Sequence, residues 1–530
     1  MSTETVADGP GGPAQRIAAG YSVAGQALEL GTVVVDGDAD PTAQIRIPLA
    51  TINRHGLVAG ATGTGKTKTL QLIAEQLSAA GVAVLMADVK GDLSGLSRAG
   101  EANDKAAARA KDTGDNWTPT AFPVEFLSLG TSGVGVPVRA TISSFGPILL
   151  SKVLGLNATQ ESTLGLIFHW ADQRGLPLLD LKDLRTVISR LTSDQGKAEL
   201  KALGAVSPTT AGVILRALVN LEAEGADTFF GEPELRPDDL IRVDSQGRGI
   251  ISLLEFSGQS LRPVLFSTFL MWVLADLFTY LPEVGDLDKP KLVFFFDEAH
   301  SLFTDASKAF LEQVEQTAKL IRSKGVGVFF CTQLPTDLPN TVLSQLGARI
   351  QHALRAFTPD DQTALSKTVR TYPKTDVYEL ESALTSLGTG EAVVTVLSEK
   401  GAPTPVAWTR MRVPRSLMGA IGTDAVAAAA HSSPLQAVYG QTVDRVSAHE
   451  MLDAKYAPVP EAPPVPPRGK YDPQPWPDEI QVPPMPAPVE PKGPGMWEEI
   501  LKNPTVKSAI NTGVREITRS IFGTGRRRSK

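Results

Sequence analysis

Gly60-Ala61-Thr62-Gly63-Thr64-Gly65-Lys66-Thr67 fits the phosphate-binding pattern G-x-x-x-x-G-K-[ST]. The pattern carries meaning only between a strand and a helix, and both are in place. His55-Gly56-Leu57-Val58-Ala59 reads as a short apolar strand running straight into the glycines. Residues 68–80 read as a helix, with Leu70, Ile73, Ala74 and Leu77 on one face. The glycines allow backbone N–H groups to converge on phosphate oxygens, and the helix N-terminus adds a partial positive charge. Gly60, Ala61, Thr62, Gly63, Thr64 and Gly65 are therefore expected to cradle phosphates. Lys66 is expected to reach the β- and γ-phosphates, and Thr67 to ligate Mg²⁺.

Outward from the loop, Val82–Ala87 is apolar without alternation, as in a parallel strand covered on both faces. Leu292-Val293-Phe294-Phe295-Phe296 is another such strand, and Asp297-Glu298 emerges at its C-terminal end. Ligands sit at that edge in open α/β sheets. Asp297 is expected to hold Mg²⁺ through its water shell, and Glu298 to polarise an attacking water. Gly327–Cys331 is a further buried strand, followed by Thr332-Gln333. Gln333 can bond both water and phosphate, or cap a loop. Arg349, Arg355 and Arg370 are each either an arginine finger for transition-state charge or a member of a surface ion pair. Asp88 and Lys90, at the end of the second strand, either support the phosphate loop or form a solvated turn. His300 either relays phosphate state or is structural.

Four features in this order resemble the HerA–FtsK group of ring-forming ATPases, and specifically the bacterial HerA-like helicase proteins. They are GATGTGKT, Asp88-Val89-Lys90-Gly91-Asp92, the strand ending Asp297-Glu298-Ala299-His300, and Thr332-Gln333. Gly347–Pro359 and Gly388-Thr389-Gly390-Glu391-Ala392 also look like later blocks of that family. The resemblance covers roughly residues 25–455. It implies a RecA-like P-loop ATPase core, ATP with Mg²⁺ as cofactors, and a homo-oligomer, a hexameric ring with ATP between neighbours. It implies a finger acting in trans, with Arg355 or Arg349 at the matching positions, and it places Gly390 near the nucleotide base. Archaeal relatives carry an N-terminal barrel; only about 50 residues precede the loop here, too few for one.

The rest of the chain divides by composition. Residues 1–26 read as a flexible arm, Gly/Pro-rich over 1–15. Residues 27–139 form the first part of the core: strands Leu28–Val35 and Ile45–Ile47 about a turn at Asp36–Pro41, and a small, Ala-rich surface excursion over 98–118. Residues 140–245 read as a helical insertion, from helical spacing over 147–155, 159–174, 180–193, 197–203 and 209–224. Residues 246–456 complete the core: strand Ile250–Glu255, helix Pro263–Tyr280, a helix over 305–323, and strands Ile350–Ala356, Glu391–Leu397 and Val406–Met411, with a hairpin turn at Ser398–Gly401.

Residues 457–494 hold 15 prolines in 38 positions, an extended linker that cannot form a packed core. Residues 495–530 place Val506, Ile510, Val514, Ile517 and Ile521 on one stripe of an amphipathic helix. The 530-residue chain is 42% hydrophobic and 21% charged, which excludes collagen-like, coiled-coil and wholly disordered readings. Its single cysteine, Cys331, excludes a disulfide scaffold or a Cys-rich zinc site. The net charge is −7, yet the last 30 residues hold eight Lys/Arg against one Glu. Contact with nucleic acid is thus expected to be local.

No secretory signal or integral membrane segment is read, and the expected location is the cytoplasm. The basic tail suits docking on another subunit, a nucleic-acid backbone or an anionic membrane. The leading functional reading is an ATP-hydrolysing DNA translocase or helicase. The alternatives are a nucleotide-dependent switch that binds a protein partner through the insertion or the C-terminal helix, and a membrane-associated remodelling ATPase.

Overall fold

The computed structural model describes residues 11–88, 91–202, 206–255, 263–285, 287–304 and 306–456. The start of the arm, Val89, Lys90, the proline linker and the basic helix lie outside the described residues.

Among the described residues twelve strands form one sheet: β1 (Ala27–Val35), β2 (Asp38–Pro48), β3 (Gly56–Ala59), β4 (Ala83–Asp88), β5 (Val124–Leu129), β6 (Val136–Val138), β7 (Ile251–Glu255), β8 (Leu292–Phe296), β9 (Val326–Thr332), β10 (Ala348–Gln351), β11 (Glu391–Thr395) and β12 (Ala407–Met411). Their order is β2-β1-β12-β11-β10-β3-β9-β8-β4-β7-β5-β6. The run from β10 to β6 is parallel, and β11, β12, β1 and β2 extend it by antiparallel pairing. This is an α/β P-loop core with an antiparallel flank.

Sequence dictates which strands sit at the centre. Every residue of β3, β4, β8 and β9 is buried, as continuous apolar runs require when helices cover both faces. Aromatic rings lock β8 to β9: Phe296 stacks on Phe330 with centroids 5.4 Å apart, and Phe295 meets Phe329 at 5.3 Å. Consequently the phosphate loop, the Asp297-Glu298 pair and Gln333 leave the sheet from three adjacent strands, at one edge.

Several expectations change. β2 begins at Asp38, because the reversal needs only Asp36 and Gly37, both at positive φ (52° and 88°). Asp-Gly is a favoured two-residue hairpin turn. Of the residues read as a flexible arm, Pro13–Ala19 form a helix that buries Ile17, and Tyr21 donates to the Pro405 carbonyl at 2.6 Å. The strand read over Ile350–Ala356 ends at Gln351, because the next backbone groups serve the phosphate loop. His352 N donates to Ala59 O, and Ala353 O accepts from Ala61 N.

The excursion over 98–118 contains a helix, Asp104–Asp112, tied to β12 by Arg410–Asp112 (3.1 Å), and beyond it Asp115 pairs with Arg415 (2.8 Å). Between β6 and β7 the chain forms the helices Ile142–Leu154, Ala158–Gln173, Leu181–Thr192, Lys197–Ala202 and Pro208–Ala223. Capping boxes at Asn157/Gln160 and Asp180/Asp183 start two of them. Phe145, Phe229 and Phe269 pack in edge-to-face contacts where these helices meet Pro263–Tyr280. Among the described residues no helix is long and apolar enough to cross a membrane.

Candidate nucleotide site

The loop between β3 and the helix Lys66–Ala79 depends on its glycines. Gly60, Gly63 and Gly65 have φ of 149°, 80° and 116°, a region that disfavours any Cβ. At Gly60 a Cβ would also come within 2.5 Å of the His352 side chain. Neighbouring segments pin the loop. Gly60 N donates to the carbonyls of Thr332 and Gln333, Ala61 N donates to Ala353 O at 2.9 Å, and Gly390 N donates to Thr64 O at 3.0 Å. Lys66 Nζ reaches back across the loop to Gly60 O (2.6 Å) and Ala61 O (3.2 Å).

Asp297 and Glu298 follow β8, which is separated from β3 only by β9. Glu298 takes φ +48°, uncommon for a non-glycine residue. Its N–H donates to Asp297 Oδ1 (3.0 Å), and the next N–H, from Ala299, donates to Cys331 O. The pair is thereby held against β9 with the peptide turned sharply. His300 Nδ1 lies 3.4 Å from the Glu298 carboxylate.

Cys331 reports what surrounds this point. Burial pushes its thiol pKa well up, and the nearby charge of Asp297, which accepts from the thiol, adds to the rise. Glu298 acts in the same direction, whereas Lys66 opposes it. Lys66, Asp297 and Glu298 therefore act on one buried sulfur, although more than 200 residues separate the lysine from the acids.

Gln333 is exposed at the end of β9, and its carbonyl accepts from Gly60 N. Asp88, at the end of β4, is buried. Its carboxylate accepts from Gly91 N (2.8 Å) and Leu93 N (2.9 Å). Burial pushes its pKa up to about 6, the two N–H donors pull it down, and the charges of Asp92 and Asp297 add to the rise. Lys68, on the helix that opens from the loop, is depressed by burial but stabilised by Asp92 and Asp88.

The arginines separate. Arg355 is exposed, and its Nη2 lies 3.4 Å from Thr62 O, beside the phosphate loop of its own chain. Arg349 lies on β10 near the opposite end of the strand, where among the described residues its guanidinium donates to the Thr371 and Leu343 carbonyls (3.3 and 3.5 Å). It does not join the phosphate loop of its own chain. Arg370 is exposed and caps the helix Pro359–Val369.

Gly390, at φ +75°, touches the loop directly through Thr64. The Glu391 carboxylate braces this turn, accepting from Gly388 N (3.0 Å), Trp408 Nε1 (3.0 Å) and Arg410 (3.1 Å). Two supporting residues escape sequence reasoning. Arg109 donates to the carbonyls of Gly390 and Thr389, each at 3.1 Å. His352, fully buried, bonds Thr69 Oγ1 (2.9 Å) and Glu391 O (2.8 Å). Arg109 sits in an Ala-rich helix with no motif to mark it. His352 lies within a quoted block, but only the fold aims its ring at the loop.

A magnesium nucleotide fits these residues. The loop offers backbone donors at positive-φ glycines, and Thr67 with Asp297 offers hard oxygen donors. Among the described residues no cluster of three or more His, Cys, Asp or Glu could hold a metal by itself.

Comparison with solved structures finds the plasmid coupling protein TrwB in complex with the non-hydrolysable analogue ADPNP, at 17% identity and a TM-score of 0.49, over 77% of this chain and 95% of that one. TrwB with ADP and Mg²⁺ matches at 16% identity and 0.48, over 76% and 95%. VirB4 of Thermoanaerobacter pseudethanolicus matches at 14% and 0.46, over 74% and 97%. A comparison with curated proteins gave no match. The family model described as helicase HerA-like C-terminal matches residues 34–529, nearly the whole chain, and the chain belongs to that family.

Proposed function

We propose that this protein is an ATP-hydrolysing motor that acts on DNA as a ring of identical subunits. The observation that carries the reading is that the phosphate loop, the Asp297-Glu298 pair and Gln333 follow the adjacent parallel strands β3, β8 and β9 at the same edge of the sheet. Family membership supports DNA as the track.

In this reading the backbone donors of Gly60–Gly65 position the triphosphate, and Lys66 turns from the loop carbonyls to the β- and γ-phosphates. Thr67 and Asp297 would hold Mg²⁺, which when bound neutralises phosphate charge. Glu298 orients and deprotonates the attacking water, with Gln333 as a second hydrogen-bond partner. Arg355 stands close enough to the loop to stabilise charge in its own chain, whereas Arg349 could serve only a neighbouring subunit. Catalysis then rests on positioning and preorganised charge.

The test is phosphate release by the full-length protein and by Lys66→Ala, with and without double-stranded DNA at low salt. Loss of turnover in Lys66→Ala and stimulation of the wild type by DNA are expected. Full activity in Lys66→Ala refutes the nucleotide site. Turnover indifferent to DNA leaves the site standing but removes the DNA motor, in favour of a nucleotide-dependent switch.

A further inference from the structure

A basic hollow lies at the opposite edge of the sheet from the phosphate loop. It is a cavity of about 450 Å³ at the N-terminal ends of β3, β9 and β10. Arg54 precedes β3, Lys319 and Arg322 precede β9, and Arg349 lies in β10. Tyr372 and Thr395 help close it. The four residues of β3 separate it from Gly60, about 13 Å at the usual rise of a strand.

Two properties distinguish this hollow from a solvated basic face. Its lining includes four Arg/Lys side chains and no Asp or Glu, in a chain of net charge −7. Neither the half-buried Arg54 guanidinium nor the Lys319 ammonium has a hydrogen-bond or ion-pair partner among the described residues. By contrast, Arg410 on β12, and Arg412 and Arg415 just after it, pair with Glu391, Glu29 and Asp115. Arg349 bonds only carbonyls, at 3.3 and 3.5 Å, long for a guanidinium. A concave wall of one charge sign focuses the field and concentrates counter-ions, and the volume falls within the range of small-ligand sites.

We propose that this cavity binds an anion bearing clustered phosphates, independently of the phosphate loop. Arg54 and Arg349 supply forked donors that match phosphate oxygens, and Lys319 adds a mobile point charge at the rim. The phosphates belong either to a free oligophosphate or nucleotide, or to the backbone of a nucleic-acid strand.

The experiment uses the full chain carrying Lys66→Ala, which disables the phosphate loop. Calorimetry follows titration with inorganic tripolyphosphate in one arm and with a short single-stranded oligothymidylate in the other. Lys319→Gln, on an exposed side chain that the fold does not need, and Arg54→Gln are then added singly, with thermal melting as a check on folding. The inference expects binding in at least one arm, weakening with salt, and about tenfold weaker after either substitution. Tripolyphosphate binding identifies a small-molecule site, and oligothymidylate binding alone identifies a strand contact. Absence of binding in both arms, or affinity unchanged by both Lys319→Gln and Arg54→Gln, overturns it.

Discussion

Replacement of His352 by glutamine tests how the phosphate loop is braced. The Glu391 carbonyl can only accept, so Nδ1 of His352 carries the proton, and Nε2 accepts from the Thr69 hydroxyl. The ring is neutral and fully buried, and burial pushes its pKa down to about 4. In the unfolded chain the ordinary histidine value applies, about 6.5. The folded value is depressed, so the unfolded state binds the extra proton first. The stability this histidine contributes is intact above pH 6.5 and is lost as pH falls towards 4. At about 1.4 kcal/mol per unit the full loss is about 3 kcal/mol, of which about 2.5 kcal/mol has gone by pH 4.5.

His55 behaves the same way, whereas Asp88 and Asp276, raised to about 6, act oppositely, penalising the fold at neutral pH and relieving it in acid. The wild-type profile alone is therefore uninformative. The difference between wild type and His352→Gln cancels the shared groups. Glutamine keeps a donor and an acceptor but cannot titrate. Urea unfolding of both proteins at pH 7.5 and 4.5 should show the wild-type advantage shrinking, or its deficit growing, by about 2–3 kcal/mol in acid. An offset that stays constant between the two pH values refutes the buried neutral imidazole and the bracing drawn from it.

Gly65→Ala should lower thermal stability by about 1–3 kcal/mol, because φ is +116° and the new Cβ would meet Gly390 N at 3.1 Å. It should also weaken titration by a fluorescent nucleotide about tenfold, and a variant that melts and binds like wild type contradicts the packed loop. Arg109→Ala removes two charge-assisted bonds to the Thr389–Gly390 turn. Steady-state assays should give an ATP KM about tenfold higher with kcat within about twofold, and an unmoved KM removes Arg109 from positioning the turn. Cys331 is buried with its thiol pKa raised, so a thiol reagent should leave the native protein unlabelled and react once denaturant is added. Stoichiometric labelling of the native protein contradicts that burial.

The centre of the sheet is legible because its strands are buried on both faces and their sequences are apolar runs with no polar alternation. Leu292–Phe296 and Gly327–Cys331 needed no context, nor did the acids that follow the first. The edges were less legible. β5 and β6 carry weaker signals: β5 is interrupted by Glu125 and Ser128, and β6 is three residues around a proline. β5 is defined by pairing with distant β7, and β6 by pairing with β5.

The end of β10 was misplaced for a related reason. Ile350–Ala356 looks like a strand locally, yet the backbone after Gln351 is committed to Ala59 and Ala61. Within the site, motif residues could be read from spacing, whereas Arg109, His352 and the separation of Arg349 from Arg355 depend on tertiary register. Arg349 near the start of β10 and Arg355 beyond its end lie on either side of a four-residue strand, and so at opposite edges of the sheet.

The most direct measurement compares nucleotide binding with turnover in Glu298→Gln. The substitution removes the carboxylate charge while keeping its shape beside Asp297 and His300. The account predicts ATP affinity within about threefold of wild type and phosphate release slowed about 10²- to 10⁴-fold, the contribution of a general base. Phosphate release at the wild-type rate, with binding intact, would contradict the claim that Glu298 acts on a nucleotide held at Lys66.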